Sequence, residues 1–76
     1  MNYYDILQNF LRCNKNIKLK FKEDKKTLDI CNYNNTILSL ELQNSDMKLN
    51  AKVIYESIIN LDNLTIYIPK IYVKEN

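Results

Sequence analysis

Between Ile17 and Leu42 three short runs carry apolar side chains at every second position, and nothing else in the chain restricts its fold as tightly. Ile17, Leu19 and Phe21 alternate with Lys18, Lys20 and Lys22; Leu28 and Ile30 flank Asp29; Leu38, Leu40 and Leu42 alternate with Ser39 and Glu41. Successive side chains on a strand point to opposite faces, so each run has one apolar and one polar side. A turn at Glu23-Asp24-Lys25-Lys26 sets Phe21 opposite Leu28, Leu19 opposite Ile30 and Lys20 opposite Asp29, which aligns the apolar faces and forms a charge pair outside. The loop Tyr33-Asn34-Asn35, with an asparagine at φ > 0, then sets Ile30 against Leu38 and Leu28 against Leu40. The result is a three-stranded meander with one apolar face that must be covered.

Two segments have the pattern to cover it. Tyr3, Ile6, Leu7, Phe10 and Leu11 recur at i, i+3, i+4, i+7 and i+8, predicting an amphipathic helix over 3–13 with Asn2 as N-cap and Asp5 in the first turn. Asn14 is expected to end it in the left-handed conformation. The second segment, 47–60, carries two patterns. As a helix, Met47, Ala51, Ile54, Ile58 and Leu61 form one stripe, with Ser45 as N-cap and Lys52 paired to Glu56. As a strand, Met47, Leu49, Ala51, Val53 and Tyr55 alternate with Lys48, Asn50 and Lys52. The helix is preferred because its stripe continues to Leu61, whereas the alternation fails at Ile58-Ile59. Leu64, Ile66 and Ile68, followed after Pro69 by Ile71 and Val73, predict a last strand bent at the proline and placed at a sheet edge.

The expected fold is therefore α+β in the order α-β-β-β-α-β, a three- to four-stranded antiparallel sheet packed against two helices. The alternative, if 47–55 is a strand, is an N-terminal helix plus a five-stranded Sm/SH3-like barrel. The expected core is Ile6, Leu7, Phe10, Leu11, Ile17, Leu19, Phe21, Leu28, Ile30, Leu38, Leu40, Leu42, Ile54, Ile58, Leu64, Ile66 and Ile68. With 76 residues, a single domain over 1–76 is the economical reading. No apolar run approaches the roughly 18 residues of a membrane span, and the start, Met1-Asn2-Tyr3-Tyr4-Asp5, lacks a basic signal-peptide region. A cytoplasmic protein is expected, with Cys13 and Cys31 as reduced, structural thiols. Abundant Asn, Ile, Lys, Leu and Tyr, with no Gly and single Ala, Pro and Arg residues, fit an AT-rich genome such as that of a low-GC bacterium or its phage.

Composition narrows the chemistry sharply. Without His there is no imidazole base, no Ser-His or Cys-His pair and no histidine metal ligand, and without Gly neither a P-loop nor a dinucleotide fingerprint can be built. No enzymatic activity, cofactor or metal is expected. One carboxylate arrangement resembles a known site: Asp29 with Glu41-Leu42-Gln43, in the order α-β-β-β-α-β, looks like the core of the PD-(D/E)xK nucleases, with Gln43 where that family has Lys. The resemblance implies a nuclease remnant holding a divalent metal, and is kept as a remote alternative to a polar sheet face. Two binding folds also bear a likeness. The order α-β-β-β-α is similar to a double-stranded RNA-binding domain, with Lys48-Leu49-Asn50-Ala51-Lys52 at the start of its second helix. With 47–55 as a strand, the chain resembles an Sm-like protein of the Hfq type, with Ile30 to Leu42 as the first motif and Tyr55-Glu56-Ser57 in place of Tyr-Lys-His. The chain is assigned to none of these families.

Two surfaces are candidates for binding. Arg12 to Lys26 holds seven basic and two acidic residues, a local +5, while the other four basic and seven acidic residues sum to −3. Lys18, Lys20 and Lys22, with Lys15, Lys25 and Lys26 nearby, would contact phosphates or a partner protein, or would only discourage edge-to-edge strand pairing. The predicted last strand offers Tyr67, Ile71 and Tyr72, which could add to a partner protein or to a second copy of the chain as a homodimer. The expected function is a small protein-binding regulator or inhibitor, encoded by a phage or mobile element. Its layout is similar to some anti-CRISPR proteins, and the alternative is an RNA- or DNA-binding module using the lysine face.

Overall fold

The meander forms in the expected register. The computed structural model describes residues 2–43, 46–62 and 64–68, in the order α1 (Tyr3–Cys13), β1 (Ile17–Phe21), β2 (Thr27–Asn32), β3 (Asn35–Glu41), α2 (Met47–Ile59). The three strands make one antiparallel sheet, β1-β2-β3. Leu19 faces Ile30, Phe21 faces Leu28, and Leu28 and Ile30 face Leu40 and Leu38. Because β2 lies between two neighbours and under the helices, Leu28 and Ile30 are fully buried, whereas Leu19, Phe21, Leu38 and Leu40 on the edge strands are only half-buried.

Both hairpins depend on local hydrogen bonding. In the β1–β2 turn the Lys25 N–H donates to the Lys22 carbonyl at 2.9 Å, and the Asp24 carboxylate accepts from the N–H groups of Lys26 (2.9 Å) and Thr27 (2.8 Å) and from the Thr27 hydroxyl (2.7 Å). Those bonds lower the Asp24 pKa from 3.8 to about 2, the Thr27 N–H being the largest cause and the Lys26 N–H the next. In the β2–β3 turn it is Tyr33, at φ 56°, and not an asparagine, that takes the left-handed conformation. Further from the turn the ladder slips: Cys31 pairs with Thr36 but Ile30 with Leu38, leaving Ile37 as the extra residue of a β-bulge.

The two helices cover the apolar face. Asn2 caps α1 by accepting from the Asp5 N–H at 2.9 Å, and Ile6, Leu7 and Phe10 point inward. Segment 47–59 is helical, so the Sm/SH3-like barrel is not formed: an uncovered sheet face gains more from Ala51, Ile54 and Ile58 laid on it as a helical stripe than from an additional strand. Its cap is Asp46, which accepts from the Lys48 N–H at 3.0 Å; Ser45 lies outside the described residues. Tyr55 locks the helices together, 5.7 Å from the Phe10 ring in an edge-on contact and 6.4 Å from the Tyr3 ring. Lys52 does not close on Glu56 but extends over the Tyr3 ring, at 5.7 Å, as Lys48 does over Tyr4.

Four expectations, two after α2 and two at the end of α1, are corrected. Residues 64–68 make no sheet ladder, and the rest of the expected last strand, with Ile71 and Tyr72, lies outside the described residues. Leu64 and Ile66 pack on the core as expected, but Ile68 is exposed. Asn14 is not left-handed (φ −126°, ψ 71°). Its buried side chain turns inward instead, donating to the carbonyls of Phe10 (2.9 Å) and Tyr67 (2.6 Å) and accepting from the Tyr67 N–H at 2.6 Å. An amide bonded to both backbone groups of Tyr67 does what a neighbouring strand would have done, so 64–68 is held without a sheet partner. Both cysteines are free; Cys31 is half-buried and Cys13 exposed, so Cys13 does not serve as packing. No helix among the described residues is long and apolar enough to cross a membrane.

Candidate functional site

One face of the sheet carries the helices, and the other displays the lysines of β1. Lys18, Lys20 and Lys22 are all exposed there, but they do not act as one stripe. Lys20 is opposite Asp29 in the ladder, as expected, yet the ion pair forms on the diagonal: Lys22 Nζ lies 3.9 Å from Asp29 Oδ1. Ser39 donates its hydroxyl to the same carboxylate oxygen at 2.6 Å. Lys25 and Lys26 sit in the β1–β2 turn, where the nearby recess of about 560 Å³ is lined by Lys20, Phe21, Lys22, Glu23, Asp24 and Asp29. Charges of both signs meet at that end, which leaves it close to neutral.

The opposite end of β1 is different. Lys15, Lys18 and Lys20 gather around Tyr33, whose ring is 73% exposed. Two adjoining recesses share Tyr33 as a wall, one of about 440 Å³ with Lys15, Asn16, Lys18 and Asn34, the other of about 360 Å³ with Lys18, Leu19, Lys20, Cys31 and Asn34. A third, of about 610 Å³, runs from Tyr33 past Asn16 and Asn32 to Tyr67. Tyr67, 61% exposed, is thereby brought to the same recess as Tyr33 by the Asn14 clamp, although fifty-three positions separate Asn14 and Tyr67 in the chain. Of the expected patch, Lys15, Lys18 and Lys20 meet at Tyr33, which the sequence reading did not single out. Lys20 also lines the mixed-charge recess with Lys22, whereas Lys25 and Lys26 line neither of these two Tyr33 recesses, and Tyr67 shares a recess with Tyr33 but with no lysine.

A second surface was legible only as a conflict of patterns. On α2, Leu49 is 71% exposed and Val53 48%. Neither belongs to the buried stripe, and it is these two residues that give 47–55 its competing strand pattern. They border a groove of about 360 Å³ whose other wall is Leu40, Glu41, Leu42 and Gln43, at the end of β3. The outer edge of β3 has no partner strand among the described residues, and the groove near its end offers the apolar side chains of Leu49 and Val53 among the polar Glu41, Gln43 and Asn50.

The carboxylates show no comparable convergence. Glu41 is opposite Thr27 and Asp29 opposite Ser39, with Asp29 engaged by Ser39 and Lys22. Among the described residues no group of three or more Asp, Glu or Cys side chains is placed to hold a metal ion.

No protein-family model, curated protein or solved structure matches the chain. Its function must be argued from these surfaces alone.

Proposed function

We propose that this is a non-enzymatic protein that regulates or inhibits a partner protein, taking an extended segment of that partner onto the β3 edge above Leu49 and Val53. The observation that carries the reading is the exposure of those two side chains beside an edge that has no partner strand among the described residues. An exposed strand edge supplies main-chain hydrogen bonds for an added strand, and an adjoining apolar groove supplies pockets for its alternate side chains. Large apolar residues that contribute little to the core and lie next to such an edge are more economically explained by a partner than by folding. A cytoplasmic protein of a phage or mobile element, acting by occupying a partner's surface as some anti-CRISPR proteins do, fits this use of a small scaffold.

The test compares capture from a low-GC bacterial lysate by the parent protein and by a Leu49→Asp/Val53→Asp variant that keeps its circular dichroism spectrum. Support requires one captured protein that is lost with the double variant and whose binding slows hydrogen exchange of the β3 amides. Retention by the variant, or protection confined to β1, refutes the reading. Sedimentation that finds a dimer abolished by the same substitutions would instead make the occupant a second copy of the chain.

A further inference from the structure

We propose that the Tyr33 corner binds single-stranded nucleic acid, with a base stacked on the Tyr33 ring and successive phosphates held by Lys15, Lys18 and Lys20. The proposal is independent of the β3–α2 groove. Its starting point is a residue that is expensive where it stands. Tyr33 adopts φ 56°, a conformation that glycine or asparagine takes far more readily, and its ring is 73% exposed, so the strain gains little burial. Asn34 is the next residue and would relieve the cost if the turn were shifted; the chain places the aromatic there instead.

The backbone that carries the ring is also held. The Tyr33 N–H donates to the Asn16 carbonyl at 2.7 Å, and the Asn16 side-chain amide donates to the Asn32 side-chain oxygen at 2.9 Å. A flat, exposed ring on a fixed backbone is a stacking platform, and it accepts any base because every base has a π-face. The two recesses beside Tyr33, which contain Lys15, Lys18 and Lys20, contain no acidic residue, whereas the far end of the same sheet face carries Glu23, Asp24 and Asp29, with Lys20 lining both. Positive potential is thereby concentrated around the one aromatic turn. Lys18 and Lys20, two residues apart on a strand, have backbone positions roughly 6.6 Å apart, a spacing that suits neighbouring phosphates of an extended strand. A duplex is the poorer occupant, since its bases are already stacked on one another and none is free to cover Tyr33.

The probes are fluorescein-labelled dT12 and U12, titrated by anisotropy at 50 and 200 mM NaCl. Three phosphate contacts predict a slope of log affinity against log salt near −2 and a loss of about 20-fold between those concentrations. Tyr33→Ala is expected to weaken binding by about 5- to 150-fold while Tyr33→Phe retains it. Lys18→Ala/Lys20→Ala should flatten the salt slope by about 1.4, and Lys25→Ala/Lys26→Ala should leave it near the parent value. Circular dichroism establishes that each variant is folded. No binding of either oligonucleotide at 50 mM salt, equal binding by Tyr33→Ala, or an equal loss with the Lys25/Lys26 pair overturns the proposal. So does a polyglutamate peptide that binds as tightly and loses as much with Tyr33→Ala, which would make the corner an acidic-peptide site.

Discussion

Replacing Asn14 by Ala removes the only described side-chain tie between the end of α1 and residues 64–68, and its effect can be worked out bond by bond. Two bonds run to the backbone of Tyr67, each 2.6 Å, one donated and one accepted. The third, to the Phe10 carbonyl, matters less, because that oxygen also accepts the Asn14 backbone N–H at 2.9 Å and stays satisfied. A net loss of about 0.5–1.5 kcal/mol for each Tyr67 bond gives about 2 kcal/mol, in a domain whose whole margin is on the order of 5 kcal/mol. For a chain of this size the melting temperature should drop by about 8–16 °C. Asn14→Asp should also destabilise at neutral pH, since it keeps the acceptor but sets a carboxylate oxygen against the Tyr67 carbonyl, and it should recover part of the loss in acid as its carboxyl regains a donor. Urea unfolding followed by circular dichroism measures the first quantity, and exchange of the Tyr67 amide reports the clamp directly. An Ala variant within about 0.5 kcal/mol of the parent, with that amide exchanging at its former rate, would show that the amide does not hold the segment.

Three further outcomes are expected. Asp24 has a depressed pKa in the folded state, so the β1–β2 turn should be fully supported above pH 3.8 and lose that support as pH falls towards about 2; amide shifts of Lys26 and Thr27 that titrate together in this window would verify it, and invariance between pH 5 and 2 would contradict it. Ile30→Ala, on the central strand and fully buried, should cost about 2–5 kcal/mol and leave the domain marginal or unfolded. The half-buried Leu40→Ala on the edge should cost distinctly less, as urea midpoints would record. Tyr33→Gly should stabilise the fold by about 0.5–1 kcal/mol, because the left-handed strain disappears and little packing is lost; a clear destabilisation would mean that the ring packs on its neighbours.

The meander and the first helix were readable because their determinants are local. Residues paired across a hairpin are set by turn length and by a period of two, and a one-residue slip would have turned Leu28 and Ile30 outward. Likewise the α1 stripe and its Asn2 cap need nothing beyond neighbouring residues. Lys18 and Lys20 were identifiable as exposed cations for the same reason. Tyr33 was overlooked as a site residue because its neighbours in sequence are asparagines, and the lysines that surround it come from the other side of a hairpin. The signal was present in the turn itself, where a tyrosine stands among residues better suited to positive φ.

By itself the sequence determined that residues 17–42 make a three-stranded sheet with one apolar face, that a helix precedes it, and that histidine and glycine chemistry is absent. It also favoured a helix for 47–59, on a stripe that runs to Leu61, although Leu49 and Val53 fit a strand as well; the helix is the form that lays Ala51, Ile54 and Ile58 on the uncovered sheet face. Tertiary structure alone decided that Asn14 acts across the molecule to hold Tyr67, and that Lys22 is paired with Asp29 while Lys15 and Lys18 stand beside Tyr33 with no acidic neighbour in their recesses. Local periodicity specifies which way a side chain points; which distant residue it meets is set by how the layers close over one another.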